Sequence, residues 1–157
     1  DEQVFHYRSF VVDLPTRHMG WGGAELTPTN AANLLSAGLS PGSKVALVSG
    51  RSHGDRVRAY ERAFEDRSLV VRVIADQTSI QDFCFLAHAR AGLWGTVQSS
   101  YVRWASLISK DLQTATLYGV NYPAREENIT KGRVAKNPDL ARIVHFPVFD
   151  VSDEDVW

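Results

Sequence analysis

The chain is short of several things, and each shortage closes off a class of protein. It has one cysteine, Cys84, so no internal disulfide can staple the fold and no thiolate cluster can hold zinc. The apolar neighbours Phe83, Phe85 and Leu86 lead us to expect Cys84 as a buried, inert thiol in the core. No apolar run approaches the ~18–20 residues of a membrane span, and no signal peptide is visible. The charges nearly cancel, 17 basic against 18 acidic residues for a net of −1. No global positive field exists to collect a nucleic acid or an anionic membrane surface.

Familiar nucleotide and hydrolase motifs are also missing. No Gly-x-Gly-x-x-Gly follows a strand, which disfavours a standard dinucleotide fold, and no Gly-x-x-x-x-Gly-Lys-Ser/Thr marks a P-loop. No Gly-x-Ser-x-Gly runs from a strand into a helix, as the nucleophile elbow of an α/β-hydrolase must. No His/Cys cluster suggests a metal centre, so no metal is expected. The four tryptophans are too scattered to form a stacking platform for bases.

What remains is an ordinary globular composition, 44% hydrophobic and 22% charged over 157 residues, enough for one domain with a real core. The apolar pattern alternates between short β-type runs and helical ones. Val4–Tyr7 reads as a first strand, with Phe10–Val12 as its continuation. Thr27-Pro28 is an N-cap followed by proline at the first helical position, opening a helix that stops at Gly38. Pro41-Gly42 marks a turn. Lys44–Val48 is a second strand, continuous in apolar character as buried parallel strands are. A helix over about 55–66 carries Val57, Tyr60, Ala63 and Phe64 at helical spacing.

Leu69–Ile74 is a third strand. Ser79 with Asp82 resembles a capping box and opens a helix through Phe83 and Leu86. Leu93–Val97, a helix from Ser99 to Ser109, and Ala115–Tyr118 follow. Each step between strands leaves room for one crossover helix, the βαβ signature of an α/β fold: a Rossmann-like, doubly wound, mostly parallel sheet. Residues 1–120 are expected to form this domain, with 121–157 a C-terminal extension packing on it. In that extension Ile143–Phe146 reads as a short strand and Ser152–Asp155 as an acidic tail. The chain begins with Asp1 rather than Met, so a processed chain or an excised part of a longer protein is expected.

In open parallel sheets, ligands bind beyond the carboxyl ends of the strands. The loops there hold Arg8 and Ser9, Arg51 to Asp55, Asp76 to Ser79, and Gln98 to Ser100. Arg8 and Arg51 offer planar cations suited to phosphate. Gln98-Ser99-Ser100 offers two hydroxyls at a helix N-terminus, where amides are left over. Plainer roles stay open for each: Ser99 as a helix cap, Arg8 as a partner of Asp13 or Asp76, Arg51 as a solvated loop charge. His6 also fits a core histidine, and Asp76 a turn residue.

Three stretches then carry a family resemblance. His6-Tyr7-Arg8 at the end of a first strand is similar to the His-x-Arg element of the fucosyltransferase superfamily of GT-B glycosyltransferases. Gln98-Ser99-Ser100-Tyr-Val-Arg-Trp104-Ala105-Ser-Leu107-Ile108 resembles that family's Ser-Ser pair opening a helix after a strand. The Asp82-Phe83 helix before it matches as well. The resemblance spans roughly residues 4 to 118 and implies the donor half of a GT-B fold. It implies an inverting transferase that takes a GDP-sugar, GDP-fucose above all, and needs no divalent ion. By this resemblance Arg8 contacts the pyrophosphate and stabilises the departing diphosphate. His6 lies near the nucleotide, Asp76 near the base, and Ser99 and Ser100 on phosphate. Arg51 and Gln98, placed at the same strand ends by the sequence pattern, complete the expected donor-binding set.

The acceptor, a glycan or a protein, is then expected to be bound by a domain or partner chain outside this sequence. Ser9 stands where many members carry a second basic residue. Two other readings fit the same residues: a Rossmann-like module that binds a nucleotide without catalysis, and a structural or interaction subunit with a degenerate glycosyltransferase fold. Asn128-Ile-Thr130 is an N-glycosylation sequon and suits a secretory-pathway glycoprotein.

Overall fold

A computed structural model describes residues 1–7, 26–50, 54–96 and 99–120, together with the backbone of 144–145 and 148–149. Five strands and four helices alternate along the chain. They are β1 (Glu2–Tyr7), α1 (Pro28–Gly38), β2 (Lys44–Ser49), α2 (Gly54–Glu65), β3 (Val70–Ile74), α3 (Ser79–Ala87), β4 (Gly92–Thr96), α4 (Ser100–Ile108) and β5 (Ala115–Val120). Two short strands, β6 (Val144–His145) and β7 (Val148–Phe149), each pair with β5. The order across the sheet is β3-β2-β1-β4-β5-β6, and every pairing is parallel. The protein is therefore an α/β fold with a Rossmann-like parallel sheet. The expected continuation Phe10–Val12 and most of the extension 121–157 lie outside the described residues.

Local chemistry explains the elements. Thr27 caps α1 by accepting a hydrogen bond from the Asn30 amide at 3.2 Å, and Pro28 occupies the first turn, where its missing N–H costs nothing. Strands β1, β2 and β4 are buried over most of their length, which in β2 shows as the continuous apolar run Val45–Val48. Successive side chains of β1 go to opposite faces. Phe5 and Tyr7 join Leu47, Trp94 and Tyr118 under α1 and α2, with Tyr60 and Phe64. Val4 joins Val48, Leu93 and Leu117 under α3 and α4, with Leu86, Val102 and Ala105. Phe5 meets Phe64 edge to face, with ring centroids 5.2 Å apart.

Helices α1 and α2 lead the chain outward from β1 to β3. Helix α3 then carries it back across the sheet to β4, on the far side of β1. The strand order therefore reverses between β1 and β4, with α1 and α2 on one face of the sheet and α3 and α4 on the other, the switch point beyond which such sheets take ligands.

Two expectations need correction, and one run of letters needs placing. The capping box of α3 is not Ser79 with Asp82 but Thr78 with Gln81: the Gln81 amide donates to Thr78 Oγ1 at 3.3 Å, and the Thr78 amide donates to Gln81 Oε1 at 2.9 Å. Glutamine at the third helical position satisfies the cap amide as aspartate, one methylene shorter, does not. Cys84 is exposed rather than in the core, because the buried face of α3 runs through Asp82 and Leu86. The run Gly38-Leu-Ser40-Pro-Gly42 has the letters of a nucleophile elbow, but it connects α1 to β2, the reverse of the strand-to-helix order that chemistry requires.

Two glycines let neighbours approach. A Cβ on Gly92 would lie 1.9 Å from Gln3 Oε1, the atom that accepts the Trp94 indole N–H at 2.9 Å. A Cβ on Gly95 would lie 2.8 Å from Val102 Cγ2, so the bare strand is what allows α4 to seat on β4. Gly95→Ala is expected to destabilise the fold by about 1–3 kcal/mol through overpacking. The cost should shrink in a Val102→Ala background, as chemical denaturation of the four variants will show.

Candidate functional site

The candidate site is built from the ends of β1 and β2 and the first turns of α3 and α4. His6, on β1, is 4% exposed and lies parallel to the Tyr101 ring of α4, with centroids 6.5 Å apart. Tyr101 in turn meets Phe83 of α3 edge to face at 5.8 Å. This relay of three rings ties β1 to the openings of both helices. Register places His6 beside Val48 of β2 and Gly95 of β4, at the reversal of strand order.

Ser99 is the N-cap of α4, and it departs from what a serine cap does. Its side chain makes no capping hydrogen bond. The residue is 0% exposed, and its Oγ has no partner among the described residues. The backbone is held in place regardless, since the Ser99 amide donates to the Thr96 carbonyl at 2.9 Å and the Ser99 carbonyl accepts from the Arg103 amide at 3.1 Å. A buried hydroxyl without a partner costs about 1–3 kcal/mol, and here it stands where a helix dipole and leftover amides favour an anion. Ser100, the first residue of the helix, is exposed.

Asp82 is the residue that sequence reasoning left out of the site. It sits in the first turn of α3, 5% exposed. A Cβ on Gly50 would stand 3.6 Å from its Oδ2, so the carboxyl group lies against the end of β2. Its Oδ1 has no hydrogen-bond partner among the described residues. Burial pushes its pKa above the ordinary carboxylate value, because the charged form loses its hydration. A signal existed: Asp82 stands four residues before Leu86, on the face of α3 that must be buried.

Asp76, by contrast, is exposed at the end of the edge strand β3. Its φ of 60° is a left-handed conformation that aspartate tolerates better than most residues. It stands at the same end of the sheet, two strands out from β1. The structure thus brings together His6, Ser99 and the unforeseen Asp82, and sets Asp76 farther along the sheet. Arg8, Arg51 and Gln98 lie outside the described residues. Among the described residues no group of three His, Cys, Asp or Glu side chains could hold a metal ion, and no helix is long and apolar enough to cross a membrane. Comparisons with family models, curated proteins and solved structures found no match to this chain.

The raised pKa of Asp82 has a sign that can be checked. Its folded value lies above its unfolded value, so the native state holds the extra proton between the two. That contribution to stability is complete at low pH and is lost as pH rises through the folded pKa. Asp82→Asn, neutral throughout, should therefore melt higher than the parent at pH 7. The gain should shrink as the pH falls toward the ordinary value of 3.8, as thermal melts of both proteins across pH 4–8 will show.

Proposed function

We infer that this chain is the donor-binding domain of an inverting glycosyltransferase that uses a GDP-sugar, with GDP-fucose as the favoured donor. The observation that carries the reading is the Ser99 hydroxyl, buried and without a partner among the described residues at the opening of α4, in the crevice where the strand order reverses. A hydroxyl held this way beside helix amides fits a diphosphate oxygen. The likeness of His6-Tyr7-Arg8 and of Gln98–Ile108 to the fucosyltransferase elements supports the same end of the sheet, with Arg51 as a further cation for the diphosphate.

The chemistry needs little more from this half of an enzyme. The bond from the anomeric carbon to the diphosphate oxygen breaks, and the acceptor hydroxyl forms its bond to that carbon from the opposite face. The acceptor's proton passes to a base, and the diphosphate leaves carrying the electron pair. Negative charge therefore grows on the leaving group. The Arg8 guanidinium, the α4 amides and the hydroxyls of Ser99 and Ser100 are the groups to stabilise it. The acceptor and the domain that binds it come from outside this chain in this reading.

Asp82 bears on the base. An ionised carboxylate accepts two hydrogens, and guanine presents N1–H and its amine side by side. Uracil presents one N–H between two carbonyl oxygens, which would face the carboxylate. His6 stands on the same face of β1 as α3 and α4, near the nucleotide in this reading, with Asp76 farther out along the loop. A nucleotide-binding module without catalysis would share this site and differ only in failing to turn over donor when the acceptor half is supplied.

Calorimetric titration tests the reading. The chain should bind GDP and GDP-fucose in preference to UDP, with no metal present and no gain from Mg²⁺. Ser99→Ala should weaken GDP binding about tenfold or more, the worth of a charge-assisted hydrogen bond, with the melting temperature held or raised. Arg8→Ala should remove most diphosphate binding and leave the fold intact. A parent chain that binds no nucleotide would overturn the proposal.

A further inference from the structure

The two faces of the sheet differ in what their helices leave outside. Among the described residues, α1 and α2 expose no large apolar side chain, whereas α3 and α4 expose three: Ile80 at 76%, Trp104 at 53% and Ile108 at 50%. These two helices run side by side. Phe83 meets Tyr101 edge to face near their starts, and Ser109 Oγ donates to the Ala89 carbonyl at 3.1 Å just past their ends. Helical spacing puts Tyr101, Trp104 and Ile108 on one stripe of α4. Tyr101 faces α3, so the stripe borders the groove between the helices. On α3, Ile80 and the exposed Cys84 stand one turn apart, turned farther from the sheet than Phe83.

This surface carries no charge at its centre. The charged residues within the two helices are Asp82, which is buried, and Arg103, two residues from Tyr101 and so on the opposite flank of α4. An aromatic centre depleted of charge is the composition of an interface core, and laying such a face on its own copy brings no like charges together. The tryptophan and two isoleucines leave on the order of 350 Å² of apolar surface open. With the exposed neutral neighbours Gln81, Cys84 and Ser100, two copies in contact cover about 1,200 Å² together, the lower end for a specific interface.

We propose that this face is the contact between two copies of the chain, related by a two-fold axis beside Cys84, with Trp104 of each copy set against α3 of the other. The contact uses the outer side of α3 and α4 rather than the strand ends, so it forms with or without a nucleotide and does not depend on the GDP-sugar reading.

Sedimentation equilibrium of the full chain tests this. The parent is expected to be a dimer with a dissociation constant of about micromolar order. Trp104→Glu should weaken it about a hundredfold or more, because the central anchor is lost from both copies, and Ile80→Glu, on the other helix, should also dissociate it. Both positions are exposed, so the circular dichroism of the variants should match that of the parent. Arg62→Glu, on α2 of the other face, should leave the dimer unchanged. The chain has one cysteine, so a short bis-maleimide joins two chains through Cys84 alone; it should do so in the parent and not in Trp104→Glu. A parent that stays monomeric well above micromolar concentration overturns the proposal. So does a dimer that survives both glutamate variants, one that Arg62→Glu breaks equally, or one that the bis-maleimide fails to link.

Discussion

Everything in this molecule depends on β1 being paired on both sides. Its hydrogen bonds to β2 on one edge and β4 on the other bury it completely at its carboxyl half. They also make it the line across which the chain changes direction. A parallel strand requires a crossover, and crossovers keep one hand, so strands added to the left of β1 put their helices on one face and strands added to the right put theirs on the other. The two cores, Phe5 with Phe64 on one side and Val4 with Leu93 on the other, follow from this reversal. So does the switch point itself, where β1 and β4 lie side by side while their neighbouring helices belong to opposite faces.

The polar residues at that end read differently once the burial is weighed. Folding usually leaves few buried polar atoms unmet, since each costs about as much as a well-made hydrogen bond contributes. Here Gln77 Oε1, Asp82 Oδ1 and Ser99 Oγ belong to the openings of two neighbouring helices at one end of the sheet. The opposite end shows the contrast: Trp94 Nε1 finds Gln3, Ser109 Oγ finds the Ala89 carbonyl, and Thr114 Oγ1 finds the Ala91 carbonyl. Among the described residues the polar side chains are thus met at one end of the sheet and left unmet at the other, which is the end the proposed function uses.

The strands and the order of helices were legible from sequence because they rest on strong, local signals. Continuous apolar runs mark buried strands, Thr27-Pro28 marks a helix start, and the spacing of strands leaves one helix between each pair. The failures have equally local causes. Phe83-Cys84-Phe85-Leu86 is apolar all round and hides which face is buried; Asp82, read only as a capping partner, lies on the inner face, and Cys84, expected in the core, lies outside. Thr78 and Ser79 are adjacent cap formers, and the choice between them turned on whether Gln81 or Asp82 closes the box. That Ser99 withholds its hydroxyl from the helix is a matter of side-chain rotation, which no letter of the sequence carries.

The two helix openings differ in how they are held, and the difference assigns them different work. Helix α3 is closed by a reciprocal capping box, so its first turn is fixed before any ligand arrives and its acceptors keep a set spacing. At the start of α4 the Ser99 side chain makes no capping bond, and the backbone bonds of Ser99 with Thr96 and Arg103 hold the turn. In the proposed reading the start of α4 suits a tetrahedral diphosphate, and the ring contacts of Phe83, Tyr101 and His6 hold that start against β1 and against the boxed first turn of α3.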